Sequence, residues 1–163
     1  MLQEKAIQPA TLALLKKLVG LEELSSFALG GGTNLALRYG HRLSVDLDFF
    51  TNKEFDRSQL FQIITNTFPS VELLFEQNQT MLFVINDVRV DFVLYPFPWV
   101  LPFEETGGTR LISEKDIIPM KLQAISNRNS KKDFWDIAML LGNYPLKEMI
   151  RIFKEKFPQV DEG

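Results

Sequence analysis

Residues 27–50 contain the feature that most restricts the fold of this chain, a change from an apolar run to three glycines and then to an acidic strand. The segment reads FALGGGTNLALRYGHRLSVDLDFF. Gly30, Gly31 and Gly32 separate a short strand-like run from a segment with helical spacing. Free amides at the start of such a helix suit an anion, and glycine lets a phosphate approach the backbone closely. A plain tight turn explains the glycines as well, and their spacing matches neither the Walker loop nor the dinucleotide-binding loop.

Asp46 and Asp48 follow this segment in a run that is otherwise apolar. On a β-strand their spacing places both carboxylates on the same face. Two adjacent carboxylates repel each other unless one is protonated or a cation lies between them, and a hard divalent cation meets that need. The alternative is a pair of exposed acids on a solvent-facing edge. Metal-dependent glycosyltransferases use the same pattern, whereas a phosphatase with an aspartate nucleophile needs a threonine where this chain has Phe49 and Phe50.

A third acid, Asp91, lies in the middle of the apolar run VRVDFVLY. If its strand pairs beside the strand of Asp46, three carboxylates converge. Two of them would hold a metal ion, and Asp91 could share the metal and accept the proton of an attacking hydroxyl. The alternative is a simple ion pair between Asp91 and Arg89, which share one face of the strand.

The composition limits the chemistry that these acids can support. The chain of 163 residues has no cysteine and one histidine, His41, which excludes disulfides, thiolate catalysis and a metal site built from several histidines. Any metal must be held by oxygen, which favours Mg²⁺ or Mn²⁺. The N-terminus lacks a leader sequence and no apolar run is long enough to span a bilayer, so we expect a cytoplasmic protein with no membrane partner.

Hydrophobic periodicity predicts an α/β fold with a helical end. Residues 1–112 are expected to form an α/β core, with a mixed sheet and helices behind it, and residues 113–163 a helical part packed on that core. Helices are predicted over 9–19, 33–39, 56–68, 113–127, 132–141 and 145–157, and strands over 27–29, 45–50, 71–76, 80–85, 88–95 and in TRLIS. Thr33 is the predicted N-cap of the second helix, and PFPWVLPFEETGGT is predicted to be a loop or lid.

The last third of the chain has a local excess of bases within an acidic protein. The net charge is −3, yet the stretch from Lys115 to Lys132 holds five bases and one acid. Such a strip can hold phosphates, although a solvated helix face is the simpler explanation from charge alone.

Two later helices carry charged residues with helical spacing. Asp133 and Asp136 share one helix face, and Lys121 and Arg128 share a face of the preceding helix. A contact between the helices could aim Lys121 at the acids, and a purely structural salt bridge explains the same pattern. The apolar residues of the last of these helices, Phe134 and Trp135 among them, are expected in the core.

The order of these motifs resembles the AbiEii/AbiGii toxin family of nucleotidyltransferases, within the DNA polymerase β-like superfamily. The stretch LGGGTNLALRYGHRLSVDLDFF is similar to the family's glycine loop, helix, His-Arg-x-Ser turn and Asp-x-Asp-x-Phe strand. The stretch IIPMKLQAISNRNSKKDFWDIAMLL is similar to its helix lysine followed by Lys-Asp-x-x-Asp. The resemblance runs from about Phe27 to Leu141 and implies a polymerase β-like core. Many members have a larger C-terminal helical region.

The resemblance also implies roles for the motif residues. Asp46, Asp48 and Asp91 would hold Mg²⁺ or Mn²⁺, and Lys121 would contact phosphates or stabilise the leaving group. Nucleotide-binding roles are implied for five residues, with the triphosphate bound at the first three: Gly31, Gly32, Thr33, Arg42 and Ser44. Asp133 and Asp136 of the later motif would have a supporting role. His41 is expected to fix its turn by hydrogen bonds.

These roles predict a magnesium-dependent nucleotidyltransferase. It would move a nucleoside monophosphate from a nucleoside triphosphate (NTP) onto a hydroxyl of an RNA, such as tRNA, or of a protein. The resemblance further implies the toxin of a toxin–antitoxin pair, with a cognate antitoxin as partner. The alternative is a catalytically silent, nucleotide-binding regulatory or partner subunit of the same fold, and a glycosyltransferase ranks below both.

Overall fold

The computed structural model describes residues 2–128 and 130–158, which form a seven-stranded mixed sheet surrounded by α-helices. The helices are α1 (Pro9–Val19), α2 (Gly31–Tyr39), α3 (Arg57–Thr67), α4 (Glu114–Asn127), α5 (Lys131–Leu141) and α6 (Leu146–Lys156). The strands are β1 (Ala28–Leu29), β2 (Leu47–Thr51), β3 (Val71–Gln77), β4 (Thr80–Ile85), β5 (Val88–Leu94), β6 (Glu104–Thr106) and β7 (Thr109–Leu111). The predicted α/β class is confirmed. None of the helices in these residues has the length and apolar character needed to cross a bilayer.

The sheet places the two acid-bearing strands side by side near its middle. Its order is β3-β4-β5-β2-β1-β7-β6. Strands β2 and β5 are parallel, and Asp48 lies opposite Asp91 in their register. The pairing of the two acid strands, on which the convergence of the carboxylates depends, is therefore present. Strand β1 runs antiparallel to β2 on its other side, which brings the glycine segment after β1 next to the acids.

Local sequence signals explain several element boundaries. Asp56 caps α3 by accepting a hydrogen bond from the backbone N–H of Gln59, and Ser113 caps α4 in the same way. Asn86 and Asp87 connect β4 to β5 with φ angles of 50° and 66°. Two consecutive positive φ values are the geometry that a tight hairpin turn requires, and Asn and Asp tolerate them.

Three expectations about local structure are wrong. Helix α2 begins at Gly31 with Gly30 as its N-cap, so Thr33 is not a cap, because its hydroxyl bonds elsewhere. The predicted loop before TRLIS contains strand β6, which pairs with β7 in a hairpin. Phe134 and Trp135 are 52% and 60% exposed, because α5 turns its two aspartates inward instead.

Apolar packing holds strand β2 between two clusters. One cluster joins α1 and α3 to the sheet, and Phe49 belongs to it. The other joins α2, α4, α5 and α6, and Phe50 packs against it. Because successive side chains of a strand point to opposite faces, one strand serves both clusters. Asp48, which directly precedes Phe49 in β2, is thus carried on a strand that packs against apolar residues on both faces.

A buried ion pair fixes the C-terminal helix to the rest of the molecule. Lys156 Nζ lies 2.7 Å from Asp116 Oδ1, and both side chains have no exposed surface. The ammonium also lies 5.3 Å from the ring centre of Tyr95 and 4.7 Å from that of Trp99. Asp116 in turn accepts the backbone N–H of Val100. We call this arrangement, Lys156 with Asp116 and residues 95–100, the Lys156 clamp.

Replacing Lys156 with Met should lower the free energy of unfolding by about 3–5 kcal/mol, because it leaves the buried carboxylate of Asp116 without its cation. Urea unfolding followed by tryptophan fluorescence measures this change. Lys147→Met, at an exposed position of α6, is the control and should change stability by less than about 0.5 kcal/mol. Equal effects of the two substitutions would contradict a stabilising role for the clamp.

Candidate active site

Asp48 and Asp91 form a carboxylate pair at the centre of the sheet. They face each other across the parallel strands β2 and β5, and both line one polar cavity together with Asp46. Burial and the negative charges of Asp91 and Asp46 raise the pKa of Asp48 to about 7. Burial also raises the pKa of Asp91, against the opposing hydrogen bond and charge of Arg89. Both carboxyl groups of the pair are therefore protonated more readily than an exposed aspartate.

Asp46 lies just before β2 and is fixed through its backbone. The Thr33 hydroxyl donates to the carbonyl oxygen of Asp46. Because that hydroxyl has a single proton, Ser44 is the donor in the 2.5 Å contact between the Ser44 and Thr33 side chains. Thr33 and Ser44, predicted to bind the nucleotide, thus connect α2 to the turn that carries Asp46. The strand predicted from residue 45 begins at Leu47, so Asp46 is outside it.

The glycines give space to the site's own side chains. Gly31 has a φ of 63°, a left-handed conformation that favours glycine, and a Cβ there would overlap the carboxylate of Asp48. A Cβ on Gly32 would overlap the guanidinium of Arg42. Gly32 and Thr33 also line the polar cavity, at the first turn of α2. The side chains of Asp48 and Arg42 therefore occupy the space beside the backbone that the missing Cβ atoms of Gly31 and Gly32 leave open.

Asp136 is the centre of a buried ionic network. Its carboxylate accepts two hydrogen bonds from Arg42, of 2.8 Å and 3.0 Å, and lies 2.7 Å from His41 Nε2. Lys121 Nζ lies 2.8 Å from the same carboxylate. Together these contacts lower the pKa of Asp136 in spite of its burial. Arg42 is therefore held beneath the site, and His41 fixes the turn as expected, although its Nδ1 is buried without a hydrogen-bond partner among the described residues.

Asp133 is the second carboxylate that binds the ammonium group of Lys121. The two groups are 2.7 Å apart, and Asp133 also accepts hydrogen bonds of 2.6 Å and 3.1 Å from Arg128. Burial raises the pKa of Asp133, but the hydrogen bonds from Arg128 and Lys121 and the two positive charges outweigh it and lower the pKa to about 2. The salt bridge between the two helices is present, and Lys121 also lines the cavity that contains the acids.

Two cavities meet at the acid pair. The polar one, of about 350 Å³, contains the acids and basic side chains such as Arg89 and Lys132. The second, of about 290 Å³, is largely apolar. Asp48, Asp91, Lys121 and Arg128 line both. A ligand with a charged part and a flat apolar part could thus occupy both cavities with its junction near the carboxylates.

The sequence did not indicate most of the apolar cavity. Its further lining includes Phe50, Tyr95, Gln123 and Asn127. Gln123 and Asn127 are one helical turn apart on α4, so helical spacing could have paired them once Lys121 was assigned to the site. Tyr95 follows β5 directly and gave no signal, because only the bend of the chain after β5 brings it over α4.

The acids suit a hard divalent cation. Asp48 and Asp91 form a pair, and Asp46 lies near them but does not complete a set of three metal ligands. Among residues 2–128 and 130–158, no group of three histidine, aspartate or glutamate side chains is arranged to hold a metal ion. Asp46 acts on Asp48 and Asp91 through its charge. A few carboxylates supplemented by water and substrate phosphates are the usual ligands of Mg²⁺, and a cation here would relieve the repulsion that raises the pKa of Asp48.

Comparisons with known proteins give one family match and one relative of similar sequence. A family model described as the nucleotidyl transferase AbiEii toxin of type IV toxin–antitoxin systems matches residues 13–95. An uncharacterized protein of Aquifex aeolicus (strain VF5) is 36% identical over 153 residues, which cover 90% of this chain and 74% of that protein.

Solved structures are similar in fold at low sequence identity. ANT(2")-Ia in complex with adenylyl-2"-tobramycin aligns with a TM-score of 0.67 and 16% identity, covering 90% of this chain and 96% of that one. JHP933 from Helicobacter pylori aligns with a TM-score of 0.60 and 19% identity, covering 93% and 71%. The Megavirus polyadenylate synthase aligns with a TM-score of 0.57 and 17% identity, covering 83% and 32%.

The lowered pKa of Asp133 predicts a loss of stability in acid. The unfolded chain takes up this proton near pH 4 and the folded chain near pH 2, so the contribution is complete above about pH 4 and is lost as the pH falls toward 2. Asp133→Asn should cost about 1–2 kcal/mol at pH 5.5 and less at pH 3. Urea unfolding at the two pH values measures both.

The matched control is Asp87→Asn in the exposed turn between β4 and β5. It should keep the pH dependence of the unmodified protein. If Asp133→Asn also keeps that dependence, the ion pairs of Asp133 do not stabilise the folded state as described.

Proposed function

The chain belongs to the AbiEii family of nucleotidyl transferase toxins, a type IV toxin–antitoxin family, and on this basis we propose the reaction that it performs. It is a nucleotidyltransferase, and it moves a nucleoside monophosphate from an NTP onto a hydroxyl of an RNA, such as tRNA, or of a protein. It serves as the toxin of a pair with a cognate antitoxin. The observation that carries the proposal is the Asp48–Asp91 pair, in register at the junction of the polar and the apolar cavity.

The triphosphate is assigned to the polar cavity. The backbone amides of Gly31, Gly32 and Thr33 belong to the first turn of α2, where N–H groups have no partner within the helix and the helix dipole favours an anion. Arg89 and Lys132 line the same cavity and add positive charge. Arg42 and Ser44 are assigned a supporting role, because their polar groups are engaged with Asp136 and Thr33.

Lys121 is assigned to the phosphate that leaves. An ammonium group has three N–H donors, and Asp133 and Asp136 take two of them. The third remains for a phosphate oxygen in the cavity that Lys121 lines. The two aspartates hold the ammonium in one position, so little conformational freedom is lost when it meets the substrate.

Asp46, Asp48 and Asp91 would hold Mg²⁺ or Mn²⁺. Such an ion neutralises phosphate charge and helps to align the reacting groups. The carboxylates themselves contribute by their fixed positions. Asp48 is held on a strand packed from both sides, and Asp46 is held by the hydroxyl of Thr33.

The reaction is a substitution at phosphorus. The acceptor hydroxyl oxygen attacks the α-phosphorus, the bond from that phosphorus to the bridging oxygen breaks, and pyrophosphate leaves. Asp91 takes the hydroxyl proton, because its side chain is 19% exposed and open to an entering acceptor. The positive charge of Lys121 offsets the charge that develops on pyrophosphate.

Asp46→Asn should lower transfer by about 100-fold or more while the protein stays folded, because it removes one carboxylate from the cation site. The assay incubates the protein with Mg²⁺ and each α-labelled NTP, and it offers total tRNA and a cell lysate as acceptors. Asp87→Asn is the matched control. Label on RNA or on protein identifies the acceptor class.

The same assay contains the contrary outcome. If Asp46→Asn transfers label as fast as the unmodified chain, the assignment of Asp46 fails. If the unmodified chain binds NTPs and transfers none of them to either acceptor, the alternative of a nucleotide-binding partner subunit replaces the proposed reaction.

Removal of divalent cations with EDTA should abolish transfer, and added Mg²⁺ or Mn²⁺ should restore it, because oxygen ligands prefer these hard ions. Added K⁺ at the same ionic strength is the control for general screening. Undiminished transfer in EDTA would contradict the cation site.

A further inference from the structure

Away from the charged residues that it shares with the polar cavity, the apolar cavity has two polar side chains on its wall, Gln123 and Asn127, and these suggest which base the protein selects. Phe50, Val93, Tyr95, Ile117, Met120 and Ala124 provide apolar and aromatic surface around it. Gln123 and Asn127 present side-chain amides from one face of α4. Under the proposed function, the nucleobase enters this cavity when the phosphates occupy the polar one.

Tyr95 fixes the orientation of the Gln123 amide. Its hydroxyl donates a hydrogen bond of 3.2 Å to Gln123 Oε1. Burial and the charge of Asp116 raise the pKa of Tyr95, so the hydroxyl keeps its proton and remains a donor at physiological pH.

The ring of Tyr95 is itself held in place from behind. The ammonium of Lys156 lies 5.3 Å from its centre, and the ring of Trp99 stacks at 6.0 Å. The Lys156 clamp therefore positions the hydroxyl that orients Gln123.

The result is a glutamine that presents only its donor end. Gln123 Nε2 has no hydrogen-bond partner in the described part of the chain, and it is not among the fully buried unpartnered atoms, so its N–H groups remain open to a ligand. A glutamine with both ends free can pair with adenine through N6 and N7. Here the bond from Tyr95 holds the carbonyl end of the amide toward the tyrosine, so Gln123 turns its N–H groups, and not its carbonyl, toward a base.

We propose that Gln123 selects nucleotides whose base carries an exocyclic carbonyl oxygen at its outer edge, guanine O6 or uracil O4, over adenine and cytosine. The two favoured bases place an acceptor where the disfavoured ones place an amino group. A donor facing a donor leaves both groups unpaired in a confined site, and a site built around one hydrogen bond rejects the ligand that lacks it. Tyr95 acts as the positioning residue of this selection.

Equilibrium binding of the four NTPs in the presence of Mg²⁺ tests the proposal, which rests on the proposed function. GTP and UTP should bind about tenfold more tightly than ATP and CTP, the value of one hydrogen bond. The separate GTP and UTP titrations show whether the cavity accepts a purine, a pyrimidine or both.

Two substitutions examine the mechanism. Gln123→Glu at pH 7.5 replaces the donor by an acceptor and should reverse the preference toward ATP and CTP. Tyr95→Phe keeps the ring and frees the amide to rotate, so the ratio between the two classes should fall toward one. If the role of Tyr95 is merely structural, Tyr95→Phe should weaken the binding of all four nucleotides equally. Gln62→Glu, the same change at an exposed position of α3, is the control and should keep the original ratio.

Each contrary outcome has a distinct meaning. Tight binding with no preference, a preference for ATP or CTP, or an unchanged ratio in Gln123→Glu overturns the selection and leaves the proposed function standing. Failure of the folded, unmodified protein to bind any NTP overturns both.

Discussion

The ionic contacts of Asp136 are the interaction on which the rest of the site depends. One buried carboxylate binds Arg42 from the turn before β2, His41 beside it and Lys121 from α4. Burial of a carboxylate is costly unless cations and hydrogen bonds surround it, and here three partners do so. Because these partners come from separate parts of the chain, one residue sets the position of α5 relative to the acid strand and to the lysine that faces it.

The acid pair is the opposite case, since its charges are left without sufficient compensation. Burial and then the charges of Asp91 and Asp46 raise the pKa of Asp48, whereas the cations that hold Asp133 and Asp136 lower the pKa of both in spite of burial. The five aspartates of the site are thereby divided into two that are paired with cations, Asp133 and Asp136, and three that repel one another, Asp46, Asp48 and Asp91. Sites where like charges are gathered at a cost in stability are characteristic of function.

Sequence alone predicted the parts of this site that depend on local order along the chain. The spacing of Asp46 and Asp48, the glycines before α2 and the two aspartates of α5 were all visible as motifs. The pairing of β2 with β5 was only a condition at that point, because nothing in either strand's sequence names its neighbour in the sheet. Sequence alone could not predict that Gly32 leaves space for Arg42, since the position of the guanidinium depends on its hydrogen bonds to Asp136 of α5. The sequence also predicted that Phe134 and Trp135 are buried, because an argument from periodicity assigns the apolar residues of a helix to the core. In the structure the same helix buries its two aspartates instead.

Tyr95 belongs both to the wall of the apolar cavity and to the Lys156 clamp. The position of α6 and the shape of the cavity are therefore parts of one equilibrium. If a ligand binds only when Tyr95 is in place, ligand binding makes the release of α6 less favourable. A partner that binds the released α6 then lowers the affinity for the ligand by the same factor. Helix α6 thus gives any protein that binds it a thermodynamic connection to the centre of the sheet, without a contact to the acids themselves.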